Sequence, residues 1–428
     1  MTKFQLILTG VFGFFLVLGI IVFSAYRGSS QEKVTVVVWG TLPQLSFAQV
    51  LQKTPLYQNK QYDIQYVEKS EADFDADFVE ALASGNGPDL FMIKSEKIWK
   101  HYNKIFPIPY NVFTERQFKD SFIEGAEIFM SPSGVLALPV SADPLVMYWN
   151  RSIFTDVRLT EPPKYWDQFY SLANTISKKD GALNILKSAV AFGEFGNISH
   201  AKEILVNLAM QAGSPVTRWS GGDAQIAWSG SFGKPTPPAE AAVNFFTEFG
   251  NPSKSSYSWN RSLPNSTNYF LGGDLALYFG FASEARALQL RNPNLNFDVA
   301  EVPVSREGGV GVSFANYTAF AITKASLNKN AALAVALNFS GKEGAMAFSE
   351  VSKLPSTRRD LLGIKPTTAH ESVFYASAIR SKTWLDPDPD LSDGVFRAMI
   401  DTITSGRSRT NEAVDRAQSE LTRILSDR

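Results

Sequence analysis

Val34 to Trp39 (VTVVVW) is a run of β-branched residues closed by a tryptophan, uncharged throughout and followed by Gly40. A strand with one wet face alternates apolar and polar residues. A run without alternation reads as a strand covered on both faces, the usual state of a parallel sheet between helices. The next residues supply such covering. Tyr62 to Val67 alternates toward a second strand, Phe74 to Ala83 has helical apolar spacing, Gly85 to Pro88 breaks it, and Leu90 to Ile93 returns to strand. Strand, helix and strand in this order predict an α/β fold.

The 428 residues leave room for more than one such unit, at about 100 to 200 residues per domain. Pro162 to Ser177 carries a helical stripe of Trp166, Phe169, Tyr170, Ala173 and Ile176. Thr217 to Pro238 is rich in Gly, Ser and Pro and predicts loop or short irregular strands, after which Ala239 to Phe249 predicts a helix. Asn330 to Phe339 is an alanine-rich helix former, and Asn411 to Leu425 sets Val414, Ala417, Leu421 and Leu425 on one helical face.

Ahead of all this, Phe4 to Phe23 has no charge, and as a helix it is long enough to cross about 30 Å of hydrocarbon. Lys3 precedes it, whereas Arg27, Glu32 and Lys33 follow at mixed sign, which places the N-terminus in the cytoplasm and the body outside. The segment reads as a single-pass anchor in the cell membrane. A cleaved signal cut near Gly28 to Ser30 is the alternative, and the body would then be secreted or periplasmic.

Several chemistries are excluded or unsupported. Cysteine is absent, which removes disulfides, thiolate metal sites, cysteine nucleophiles and lipid attachment through an N-terminal cysteine. With 41 basic and 42 acidic residues the net charge is -1, without the basic excess that nucleic-acid binding needs. The three histidines, His101, His200 and His370, have no metal-ligand spacing and read as surface or packing residues. No GxSxG elbow or Walker loop occurs, and the SxxK match at Ser326 and Lys329 lacks its partner motifs. Asp386, Asp388, Asp390 and Asp393 are interrupted by Pro387 and Pro389, which fits a solvated turn better than a calcium loop. No metal or other cofactor is expected. Aromatics reach 13%, enough to line a binding surface as well as fill cores.

Seven stretches in order carry a family likeness: VVVWG at 36–40, ASGNGPDLFM at 83–92, LPVSADPLVMYWNRSIF at 138–154, PPKYWDQFYSLANTIS at 162–177, FLGGDLALYFGFAS at 270–283, FDVAEVPV at 297–304 and SGRSRTNEAVDRAQSELTRIL at 405–425. Together they resemble the extracellular solute-binding proteins of ABC importers, the group that includes maltose-binding protein and other sugar binders. The resemblance covers nearly everything after the apolar segment. It implies a two-lobed periplasmic-binding-protein-like fold of type II that holds a small polar solute, a sugar by this likeness, between its lobes.

The resemblance also implies ligand-facing positions. Asp143 matches the acidic residue that accepts ligand hydroxyls, a task a carboxylate can perform for two donors at once. Thr41 and Gln44 match the loop after the first strand, with Trp39 lining the cleft. Glu96 matches a polar sugar contact. Phe279 and Phe281 take the place of aromatics that follow a strand, where tryptophan is the more common occupant. Tyr317 and Trp384 match stacking positions, whose flat rings suit the C–H face of a pyranose.

Crossings between lobes are expected near Val140 to Leu145, Asn296 to Val302 and Ser340 to Ser352. Residues 31–141 with 300–342 then form lobe 1, residues 142–299 with 343–428 form lobe 2, and residues 1–30 form the anchor. A monomer working with ABC permease subunits in the membrane is implied, with no catalysis. Two other classes stay open: a solute sensor of the same fold acting on a membrane partner, and an exported glycoside hydrolase, whose carboxylate spacing no sequence displays.

Overall fold

The computed structural model describes residues 2–26, 33–182, 184–220, 222–306 and 311–427. The apolar segment forms a single helix, Lys3–Tyr26, and every described side chain in it is exposed. Among the described residues it packs on nothing in the body, and it is long and apolar enough to cross a membrane.

The body is built on one twisted sheet. Its main strands are β1 (Val34–Gly40), β2 (Tyr62–Glu68), β3 (Leu90–Lys94), β4 (Leu138–Asn150), β5 (Ile185–Val190), β6 (Leu275–Phe281), β7 (Phe297–Ala300) and β8 (Ser313–Ile322), with two-residue strands Lys178–Lys179 beside β5 and Ser381–Lys382 beside β8. In space they run β2, β1, β3, β8, β4, β6, β5, with β7 also on β4. β1 is parallel to β2 and β3, as its unbroken apolar run predicts, and β8 lies antiparallel between β3 and β4.

β4 is long enough to serve two neighbourhoods. Its first half pairs with β8, and from Leu145 onward it pairs with β6 and β7. The buried side chains divide at the same place. One cluster runs from Val36 to Ala142 and resumes at Ala315, while the other runs from Leu145 to Phe314 and resumes with the C-terminal helices Pro389–Thr404 and Thr410–Ser426. Two lobes thus share one sheet, joined through β4 at Asp143 and Pro144 and through β8 at Phe314 and Ala315. The second core is dense in aromatic rings: Phe279 packs among Trp166, Phe169 and Phe192 with centroids 5.4–6.2 Å apart. Each such ring removed from water contributes about 1.5 to 3 kcal/mol.

Two of the expected crossings lie elsewhere in this packing. Phe297–Ala300 pairs with Met147 to Asn150, and Val302, Val312 and Phe314 all join the second core, so the crossing falls at 314/315 and not at 296–302. Helix Lys342–Ser352 sends Ala347 and Phe348 into the first core, and Leu362 follows them. The chain then alternates between cores from Phe374 to Leu385 before settling in the second. The expected boundaries at 300 and 343 therefore cut through packed units.

The stripe predicted over 162–177 becomes a helix only at Gln168–Ile176. Before it the chain bends and turns: Tyr165 bridges Val304, and the backbone amides of Lys164 and Tyr165 both donate to the Gln168 side chain. The strands and helices expected at 34–39, 62–67, 74–83, 90–93, 239–249, 330–339 and 411–425 form within a residue or two of those limits.

Candidate functional site

The shared strands β4 and β8 pass side by side through the seam between the lobes. Asp143 stands there, partly exposed between buried neighbours on β4. One carboxylate oxygen accepts the backbone N–H of Ser283 at 2.9 Å, from the turn Ala282–Glu284 that follows β6. Burial pushes this carboxyl up to about 6; the Ser283 bond opposes the shift, Glu284 adds to it and Lys94 weakly offsets it. Directly opposite on β8 is Asn316, whose side-chain oxygen is buried without a partner. Thr318 and Lys94, paired with each other, continue the same face into lobe 1.

One wall belongs to lobe 2. Glu284 is its hub, accepting from the Phe281 amide at 2.7 Å, the Tyr278 hydroxyl at 2.6 Å and His200 Nε2 at 2.8 Å. His200 takes a left-handed backbone conformation (φ 59°) before helix Ala201–Ala212, with its ring edge-on to Phe281 at 4.9 Å. Burial disfavours the imidazolium, but the bond to Glu284 and its charge outweigh that and raise the His200 pKa. In the first turn of this helix, buried Lys202 donates to Asp386 Oδ2 at 2.9 Å, the Pro389 carbonyl at 3.1 Å and Ser392 Oγ at 3.2 Å. Glu203 follows, partly exposed and without an ion pair among the described residues.

The facing wall comes from the turn after β3. Burial raises the Glu96 pKa, and the charges acting on it besides Lys94 are Glu203, Lys202 and Asp386 from the other lobe. Trp99 meets Trp219 of the Thr217–Ser220 strand edge-on at 6.0 Å, and its indole N–H is buried without a partner. Lys100 reaches Asp75 in its own lobe at 3.2 Å, and Asp390 at 2.9 Å and Asp388 at 3.6 Å across the seam.

Of the residues expected to face ligand, Asp143 and Glu96 stand at this seam, and Phe281 lies at its edge beneath His200, 7% exposed. Thr41 is partly buried after β1, and Gln44 is exposed at the start of helix Gln44–Gln52, where its amide donates to Glu68. The other four are core residues here. Trp39 packs on Phe74 and Phe78 under the Lys69 ammonium, and Phe279 sits in the aromatic core. Tyr317 is fully buried with its hydroxyl on Ser381 Oγ at 2.7 Å, and Trp384 is 2% exposed against Phe396. Strand alternation explains Tyr317: Asn316 and Thr318 take the Asp143 face, so Tyr317 points the other way.

The seam also holds His200, expected as a surface or packing residue, and residues the sequence did not single out: Trp99, Lys202, Glu203, Trp219, Glu284 and Asn316. The carboxylates at 386 and 388 are not a solvated turn. Asp386 is buried on Lys202, and Asp388 accepts the amides of Asp390 and Leu391 to cap helix Pro389–Thr404. His101 is buried against Asp75, as a packing histidine should be. A hollow of about 400 Å³ lined by Trp166, Gln211, Pro238 and Phe245 lies within lobe 2, away from the seam.

A family model described as bacterial extracellular solute-binding protein matches residues 40–346. Binding proteins from Brucella abortus (strain 2308) and Brucella suis biovar 1 are 23% identical over 239 residues, which is 54% of this chain and 53% of theirs. The chain thus spans about half the length of the curated relatives it matches. Among solved structures, the cyclic α-maltosyl-1,6-maltose binding protein of Arthrobacter globiformis superposes with a TM-score of 0.76 at 15% identity, over 92% of this chain and 100% of that one. A cyclo/maltodextrin-binding protein complexed with maltotetraose gives 0.74 at 14%, over 93% and 99%. The sugar-binding protein MalE from Xanthomonas citri gives 0.72 at 16%, over 92% and 98%. The two-lobed α/β architecture expected from the sequence is the fold these chains share.

Proposed function

Because this chain belongs to the bacterial extracellular solute-binding protein family, we propose that it captures a carbohydrate between its lobes and delivers it to an ABC permease. The observation that carries the reading is the seam itself. It pairs hydrogen-bond acceptors on the shared strands, Asp143 and Asn316, with facing aromatic rings, Trp99 and Trp219. A polyol presents many hydroxyl donors around apolar C–H faces, which acceptors and flat rings complement. The structural neighbours that bind maltotetraose, cyclic α-maltosyl-1,6-maltose and sugar support the same class of ligand.

Capture needs no bond to be made or broken. Ligand held by both walls favours the closed arrangement over the open one by its differential contacts, as in hinge closure. The bending elements are β4 at 143–144 and β8 at 314–315, so that lobe 1 comprises residues 33–143 and 315–362 and lobe 2 comprises 144–306 and 311–314 with the C-terminal helices. The protein works as a monomer. Helix Lys3–Tyr26, whose Lys3–Ile20 window has a mean hydropathy of 1.9, tethers it to the membrane beside its permease and raises its effective concentration there.

Thermal unfolding against a panel of mono- and oligosaccharides tests this reading. A cognate ligand at about 100 times its Kd adds about 2.7 kcal/mol to stability. Absence of any shift across sugars, oligosaccharides and polyols would overturn it.

A further inference from the structure

Resting on the carbohydrate reading, we infer that the seam selects saccharides that carry a protonated amine over their N-acetylated, neutral or carboxylated counterparts. The argument follows the polar groups one by one. Lys202 has three ammonium hydrogens, and three acceptors take them: Asp386, the Pro389 carbonyl and Ser392. Lys100 is held among Asp75, Asp388 and Asp390, Lys94 lies 3.1 Å from Glu71, and His200 gives Nε2 to Glu284. Each cation at the seam is thus matched by a carboxylate of the protein itself. Among the described residues none of these cations is left over for an anionic ligand.

The acceptors are not matched in return. Glu96 and Glu203, on opposite walls, have no ion pair among the described residues, and Asp143 is bonded only by the Ser283 amide and hydroxyl, with no cation paired to it among the described residues. Asn316 adds a buried side-chain oxygen with no partner directly opposite Asp143. Among the described residues of these walls, the Trp99 indole N–H is a buried donor without a partner. A ligand that completes this arrangement brings donors and positive charge between Glu96, Glu203 and Asp143. An ammonium on a sugar ring supplies both, because it donates three hydrogens and accepts none. A carboxylated sugar adds an anion to carboxylates already disfavoured by burial.

The test is calorimetric titration of the full chain at neutral pH with four probes: the glucosamine trimer, the N-acetylglucosamine trimer, maltotriose and trigalacturonic acid. The glucosamine trimer is expected to bind about tenfold tighter than its N-acetylated form, with trigalacturonic acid weakest. Equal or tighter binding of the N-acetylated trimer or maltotriose overturns the inference and leaves the carbohydrate reading standing. Tightest binding by trigalacturonic acid does the same. Absence of binding by all four overturns the inference, while the carbohydrate reading falls only if the wider saccharide and polyol panel also gives no shift. Glu96→Gln and Glu203→Gln, each with wild-type thermal unfolding, are expected to reduce the ratio of amine to N-acetyl affinity severalfold. An unchanged ratio in both variants also overturns the inference.

Discussion

At the scale of single residues, Asp143 shows a site working against stability. Its folded-state carboxyl is pushed up to about 6 from an ordinary 3.8, with Glu284 raising it, Lys94 lowering it and Ser283 bonded to it. A raised carboxyl contributes stability that is complete below the unfolded value and lost as pH climbs through 6, so the ionised form is a burden at neutral pH. Asp143→Asn, which keeps an acceptor for Ser283, should therefore stabilise the protein at pH 7.5 by about 2 to 3 kcal/mol and have no effect at pH 3.5 or below. Urea unfolding at the two pH values measures the difference; an equal effect at both would show that ionisation is not its source. The same variant should bind saccharide more weakly, having lost a carboxylate. Asp143 was legible from its motif, whereas Asn316 and Glu284 were not. Asn316 acquires its role from Asp143, a strand partner more than a hundred residues away, and Glu284 from His200 on a separate helix, and no local pattern encodes either.

At the scale of elements, the local signals held wherever periodicity and packing agreed. The closing helix Thr410–Ser426 buries Val414, Ala417, Leu421 and Leu425 together, the stripe its spacing predicts. They failed where an extended tertiary partner competed, as at Tyr165 beside Val304, which delays the helix to Gln168. Aromatic residues were the hardest to place, because the same ring serves a core or a ligand. Trp384 leads into helix Pro389–Thr404 and packs on its Phe396. Trp384→Ala should therefore cost about 3 to 5 kcal/mol of stability by leaving a cavity under that helix. Chemical denaturation would register the loss, and a variant of wild-type stability would return Trp384 to the ligand surface.

At the scale of the whole molecule, the two-lobed α/β class was readable from strand and helix alternation and from the order of the family's pieces, but the lobe boundaries were not. A crossing in the middle of a continuous strand leaves no break in composition, and β8 passes from one core to the other between Phe314 and Ala315 without a turn. Across the seam, Lys100 spans three carboxylates of both lobes. Part-exposed ion pairs of this kind contribute about 1 kcal/mol, enough to change a closed-to-open ratio about fivefold. Lys100→Met should enlarge the unliganded protein's radius of gyration in X-ray solution scattering and weaken saccharide binding. Identical scattering for variant and wild type would remove the residue from any part in closure.

The position of β8 also bears on how such a chain reaches the outside. It lies between β3 and β4 in space yet follows β4 by about 160 residues in sequence. A polypeptide threaded N-terminus first through an export pore delivers β1 to β4 early, but their sheet lacks its middle strand until residue 322 has passed. Lobe 2 waits longer still, for the helices that end at Ser426. Neither core can close on a partial chain, so the topology itself delays folding until translocation is nearly complete.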